Sequence, residues 1–137
     1  MKTIFIEGAS NSGKTTIIKE YSEKLLTTGE YDIVFSHKVD TDELVYLLKN
    51  RDTGDCILLN SPADMKGLID ELDRLLGEFT STYTITIMIS AIRHRNVNRH
   101  LFERMHSVAK KYSTDIKFID LLKNAVCYGM SELDEII

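Results

Sequence analysis

The residues Gly8-Ala9-Ser10-Asn11-Ser12-Gly13-Lys14-Thr15 fit the pattern G-x-x-x-x-G-K-[ST] in full, and each fixed position has a chemical reason. Gly8 and Gly13 allow backbone angles that a Cβ would hinder, so successive N–H groups can turn inward around phosphate oxygens. Lys14 brings an ammonium to the β- and γ-phosphates, at the start of a helix whose N-terminal partial charge adds to it. The Thr15 hydroxyl is the expected Mg²⁺ ligand, and Thr16 completes the first turn. The stretch from Gly8 to Thr16 is therefore expected to bind a nucleoside triphosphate. The guanine-reading Asn-Lys-x-Asp signature is missing after Ile89, so ATP with Mg²⁺ is the expected pair.

Phosphoryl transfer also needs a carboxylate that positions the metal or accepts a proton. Asp40 and Asp42 follow the second apolar run, where a carboxylate can reach Mg²⁺, and capping of a following helix is the alternative. Asp64 is the other candidate, and for it the capping role is preferred because a helix begins close by. Position favours Asp40 as the catalytic and metal-positioning acid. Further along, Arg93-His94-Arg95-Asn96-Val97-Asn98-Arg99-His100 gathers three arginines and two histidines in an acidic chain. Arg93 and Arg95 are the first choices for γ-phosphate contacts, with a solvated helix face as the competing explanation. No aromatics interleave with the arginines, which argues against a nucleic-acid patch.

These residues need elements to hold them. Five runs rich in β-branched and aromatic residues, near Thr3–Glu7, Tyr31–Ser36, Asp55–Asn60, Tyr83–Ser90 and Ile116–Leu121, are separated by helical periodicity. The clearest helix carries Met65, Leu68, Ile69, Leu72, Leu75, Leu76 and Phe79 on one face. The alternation predicts a three-layer α/β/α sandwich around a mainly parallel five-stranded sheet, with the loop and the basic stretch at the strands' carboxyl ends. Ser131-Glu132-Leu133-Asp134 reads as the cap of a short final helix.

The opening Phe5-Ile6-Glu7-Gly8, then Gly13-Lys14-Thr15-Thr16 and Tyr31-Asp32-Ile33-Val34-Phe35-Ser36, resembles the start of a thymidylate kinase or related nucleoside kinase of the P-loop NTPase superfamily. The resemblance covers about the first 36 residues and implies transfer of the ATP γ-phosphoryl group to a small acceptor. Lid arginines follow the fourth strand in such kinases, which the resemblance carries to Arg93 and Arg95. The Asp40-Thr41-Asp42 triplet is similar to an Asp-x-Asp of shikimate kinase. The sequence departs at Asn60, an amide that cannot accept the proton of an acceptor hydroxyl and stands where those kinases carry Asp-Arg.

The chain has 137 residues with 43% hydrophobic and 28% charged, the composition of one globular domain spanning 1–137. A net charge of −4 gives no global attraction to nucleic acid or anionic membrane. Cys56 and Cys127 suit buried free thiols in a reducing cytoplasm, and the N-terminal apolar run is too short to span a bilayer. Three functions remain in competition: a small kinase-like phosphotransferase with an unidentified small-molecule acceptor, a nucleotide-dependent switch or ATPase acting through a protein partner, and a binder without turnover.

Overall fold

The computed structural model describes residues 1–9, 12–38, 43–121 and 133. In chain order the elements are β1 (Lys2–Gly8), α1 (Lys14–Thr27), β2 (Tyr31–Lys38), β3 (Leu44–Asn50), β4 (Cys56–Asn60), α2 (Lys66–Thr82), β5 (Ile85–Arg93), α3 (Arg99–Tyr112) and β6 (Asp115–Asp120). The six strands form one sheet in the order β2-β3-β4-β5-β1-β6. β1 lies parallel to both β5 and β6, and β4 is parallel to β5, whereas β3 runs antiparallel to both β2 and β4.

This overturns the expected mainly parallel five-stranded sandwich of a P-loop NTPase. The sheet is mixed, six-stranded and antiparallel at one end. The strand missed in the sequence is β3, whose LVYLLKN run is rich in leucines that are strong helix formers and follows an acidic cap-like triplet. Pairing on both edges overrides that propensity, because Leu44, Val45, Leu47 and Leu48 are all buried in the sheet. A tight turn then sends the chain back: Asn50 Oδ1 accepts from the N–H groups of Asp52 and Thr53 at 2.9 and 3.0 Å. Gly54 closes that turn at φ 78°, a left-handed conformation suited to glycine.

β1 and β4 are buried almost throughout, as expected for strands with neighbours on both sides. α2 buries Ile69, Leu72, Leu75, Leu76 and Phe79, as its periodicity predicts. Met65 stands outside the helix as its N-cap and is 64% exposed. Helix α1 packs on β1, β2, β4 and β5, while α2 and α3 pack on each other and α3 on β5. Aromatic rings tie helix to sheet: Phe102 of α3 stacks on Phe118 of β6 at 5.7 Å, and Phe118 on Phe5 of β1 at 5.5 Å. The cap sequence Ser131–Asp134 and Cys127 lie outside the described residues apart from Leu133, which is buried. Among the described residues no helix is long and apolar enough to cross a membrane.

If β3 belongs to the sheet, Leu47→Ala removes a fully buried side chain and costs about 2–5 kcal/mol of unfolding free energy. Ile33→Ser on edge strand β2, where the side chain is 48% exposed, changes stability by only about 0.5 kcal/mol. Urea denaturation of both variants checks the contrast, and equal small effects would remove β3 from the core.

Candidate functional site

β1 delivers Gly8 to the carboxyl end of the sheet, and the chain turns from there into α1. A Cβ on Gly8 would lie 2.2 Å from Ser12 Oγ, so only glycine lets the loop fold back so closely. The turn is held by Ser12 N donating to Ala9 O at 3.2 Å. Gly13 enters α1 as its N-cap at φ 100°, and no side chain caps the helix. No acid occupies the first turn, while Glu20, Glu23, Glu43 and Asp64 line the cleft that opens above it. Ser12 Oγ is buried with no hydrogen-bond partner among the described residues. Ser10 and Asn11 lie outside the described residues.

Lys14 is 5% exposed, and its Nζ donates to Gly8 O at 2.8 Å and to Asp64 Oδ1 at 3.2 Å. Burial pulls its pKa below the ordinary lysine value, the Asp64 carboxylate pulls it back, and Arg93 pushes it down again. Arg93 ends β5 directly beside Gly8 in the parallel register and places Nη1 3.2 Å from the same Asp64 oxygen. Arg93 Nε is buried and has no hydrogen-bond partner among the described residues. Lys14, Arg93 and Asp64 thus form one compact group at the mouth of the loop.

Asp64 does not cap α2, contrary to the preferred sequence reading. The N-cap is Met65, the helix has no side-chain cap, and the Asp64 carboxylate turns to Lys14 and Arg93 instead. Two cations at hydrogen-bonding range outweigh the gain from one cap. Asn60 is buried, and its amide donates to Pro62 O at 3.0 Å and Ser90 Oγ at 3.1 Å. It is a fixed packing element between β4 and β5. Asp40 lies outside the described residues.

The basic stretch separates in space. While Arg93 joins Lys14, Arg95 turns to Glu7: its backbone N and Nε reach Oε2 at 2.9 and 3.0 Å, and its Nη2 reaches Oε1 at 2.9 Å. The guanidinium also covers the rings of Phe102 and Phe118 at 4.6 and 5.0 Å. Arg95 is therefore committed to the fold, a correction to its expected place beside Arg93. The cause is Glu7, 1% exposed at the end of a buried strand, which requires a cation and fixed donors. An acid inside the apolar run Thr3–Glu7 was the sequence signal for this partner. His94, also buried, donates its backbone N–H to Gly8 O at 3.0 Å and accepts from Asn96 N through Nδ1 at 3.1 Å. Its Nε2 lies 3.2 Å from Asp120 Oδ1 and 3.8 Å from Glu7 Oε2, without hydrogen-bond alignment to either. α3 begins only at Arg99, capped by Asn98, and Arg99 pairs with Glu103 on the surface. Arg95 and Arg99 do not share a helical face.

A cleft of about 790 Å³ opens above the loop, with Lys14, Thr15 and Thr16 among its lining residues and Asp64 and Glu43 at its wall. Thr15 and Asp64 line the same cleft, and among the described residues no group of three or more His, Cys, Asp or Glu side chains is gathered to hold a metal ion.

The buried Lys14 gives a pH signature. Its folded pKa lies below 10.5, so between that lowered value and 10.5 the unfolded chain holds a proton the folded chain has released. Stability from this group accordingly rises with pH across that window. Urea midpoints measured from pH 8 upward are expected to show the rise in the native chain and to lose it in Lys14→Met; identical profiles would contradict the burial cost.

No protein-family model matches the chain, and no curated protein matches it. Among solved structures it is similar to one described as EndoMS in apo form, at 12% identity and a TM-score of 0.41. The likeness covers 74% of this chain and 45% of that chain, and at that score it carries no argument about fold or activity. The resemblance of Phe5 to Ser36 to nucleoside kinases is thus not sustained: no matching family model, curated protein or solved structure places the chain in the P-loop NTPase superfamily.

Proposed function

We propose that the loop from Gly8 to Thr16 binds the phosphates of a nucleoside triphosphate, ATP with Mg²⁺ foremost, and that the chain transfers the γ-phosphoryl group to a small acceptor. The observation that carries this reading is Lys14. A lysine 5% exposed and destabilised by burial is held at the foot of a wide cleft, against a glycine too crowded for any Cβ. Such a group costs stability and gains its return from an anion. Ser12 Oγ and Arg93 Nε, both buried without partners among the described residues, are further donors that phosphate oxygens would satisfy.

Within this reading Lys14 and Arg93 hold the γ-phosphoryl oxygens, replacing part of their present contact with Asp64. The Thr15 hydroxyl would hold Mg²⁺, which would offset phosphate charge, and the Asp64 carboxylate, released from Lys14 and Arg93, is left to accept a proton. The acceptor hydroxyl oxygen forms a bond to the γ-phosphorus while the bond from that phosphorus to the β–γ bridging oxygen breaks. ADP leaves with the bonding pair, and the hydroxyl proton passes to the Asp64 carboxylate. The alternative of a nucleotide-sensing switch at Asn60-Ser61-Pro62 has less support. All three residues are buried, and Ser61 is tied to Leu44 through both its N–H and its hydroxyl.

Lys14→Ala is expected to weaken Mg²⁺–ATP binding at least about tenfold in calorimetric titration, while the variant stays folded; unchanged affinity would sink the phosphate-loop reading. Asp64→Asn is expected to lower acceptor-dependent ADP formation of the folded protein about a hundredfold, together with a fall in Tm because Lys14 loses its carboxylate partner. Full turnover in that variant, with loss in Asp40→Asn, would move the acid to Asp40. ADP formation that needs no acceptor would favour hydrolysis, and tight ATP binding with no ADP formed would favour a binder without turnover.

A further inference from the structure

Between Asn60 and Asp64 the chain has to leave β4 and cross the end of β5, because β5 separates β4 from β1 in the sheet and Asp64 meets Lys14 beside Gly8. Every residue on the way is buried. Asn60 stands opposite Ser90 of β5 in the parallel register and opposite Val45 of β3 on its other side. Its side-chain amide has two hydrogens, and each has a taker: Pro62 O at 3.0 Å and Ser90 Oγ at 3.1 Å. Ser90 Oγ in turn donates to Ala91 O at 2.9 Å, so its own hydrogen is committed. Ser61 is bound to Leu44 on the β3 side, its N–H donating to Leu44 O at 3.0 Å and its Oγ accepting from Leu44 N at 2.8 Å. Only at Asp64, whose side chain is 33% exposed, does the connection emerge.

We infer that Asn60 is a positioning residue: by holding the Pro62 carbonyl, its amide seats Asp64 between Lys14 and Arg93. The bond closes a short loop from the side chain to the backbone two residues on, and so fixes the direction in which the chain leaves the strand. Pro62 tightens the constraint, since its ring holds φ at about −65°. Asp64 is two residues beyond that fixed carbonyl, and its Oδ1 lies 3.2 Å from both Lys14 Nζ and Arg93 Nη1. The chemistry at position 60 is selective. An ionised carboxylate there has no hydrogen to give and would face the Pro62 carbonyl as a second acceptor. A leucine of similar shape would leave that carbonyl buried without a donor. Either change frees the Pro62 peptide to turn toward another partner, and Asp64 moves with it. The inference rests on the proposed function only for its consequence in turnover: when phosphates engage Lys14 and Arg93, the same tether keeps the released Asp64 carboxylate at the mouth of the loop. The seating itself belongs to the free chain.

Titration of the Lys14 Nζ by nitrogen-detected NMR, in the full chain without nucleotide, reads the seating directly. Asp64 opposes the burial that lowers the pKa of Lys14, through its charge and its hydrogen bond, so a displaced Asp64 lets Lys14 lose its proton at lower pH. Asn60→Leu is expected to lower the Lys14 pKa by at least about half the fall that Asp64→Asn produces. In the Asp64→Asn background the same substitution is expected to add nothing, because the residue it acts through is already neutral. Ser90→Ala, which leaves the bond to Pro62 in place, is expected to leave Lys14 as in the native chain. If Asn60→Leu does not fold, Asn60→Ser, whose hydroxyl is too short to reach the Pro62 carbonyl, makes the same comparison. Loss of stability with an unmoved Lys14 would overturn the inference, since a residue that only packs does just that; so would an equal shift in both backgrounds. The nucleotide reading fails separately. A native chain that does not bind ATP with Mg²⁺ in calorimetry sinks the proposed function and leaves the Lys14 comparison standing, whereas ATP binding with an unmoved Lys14 in Asn60→Leu sinks the positioning role alone.

Discussion

The carbonyl of Gly8 is the point on which the site depends. It accepts from Lys14 Nζ at 2.8 Å and from the His94 backbone N–H at 3.0 Å, and so joins the end of β1 to both the start of α1 and the end of β5. Gly8 must lack a side chain for Ser12 to approach. It must also sit beside Arg93 in the parallel register for the second cation to arrive. Remove that convergence and Lys14, Arg93 and Asp64 have no common place to meet.

Two charge clusters flank this point and do different work. On one side Glu7, Arg95 and His94 are locked with donors and ring faces: Arg95 gives three hydrogen bonds to one carboxylate and covers two aromatic rings. The Glu7 carboxylate there is fully engaged, although His94 Nε2 is buried without a hydrogen-bond partner among the described residues, and the Arg95 contacts anchor the segment after β5, which fixes where Arg93 emerges. On the other side Lys14 and Arg93 share a single oxygen of Asp64, both at 3.2 Å, beside two buried polar atoms without partners among the described residues. What separates the two clusters is the cleft, which is lined by Ser12, Lys14 and Asp64 but not by Glu7, His94 or Arg95, so only on that side can a ligand improve the hydrogen bonding. The contrast separates Arg95 from Arg93 although two positions apart in sequence.

Much of the loop was legible because its pattern encodes local geometry: a strand, two glycines at required positions and a lysine opening a helix all appear where their spacing puts them. The buried stripe of α2 was legible for the same reason, since helical periodicity survives any tertiary arrangement. β3 was not. Its leucines carry no alternation, and the pairing that makes it a strand comes from β2 and β4 on either side. That error spread to the topology, turning a mixed six-stranded sheet into a parallel five-stranded one. The role of Asp64 was hidden for a related reason, because its partners come from residues 50 and 29 positions before and after it, Lys14 and Arg93. Arg95 was misplaced because a buried Glu7 claims it, a contact across 88 positions. Local rules recover local geometry, while the choice among equivalent charged residues is made by long-range burial.

The central claim is that Lys14 is a strained cation awaiting phosphate, and its own titration tests that most directly. Nitrogen-detected NMR of the Lys14 Nζ, followed against pH with and without ATP and Mg²⁺, reports the group's ionisation in each state. The account predicts a pKa below 10.5 in the free chain, rising when the phosphates replace Asp64 as its principal counter-charge. An ordinary lysine value in the free chain that ATP leaves unmoved would contradict it.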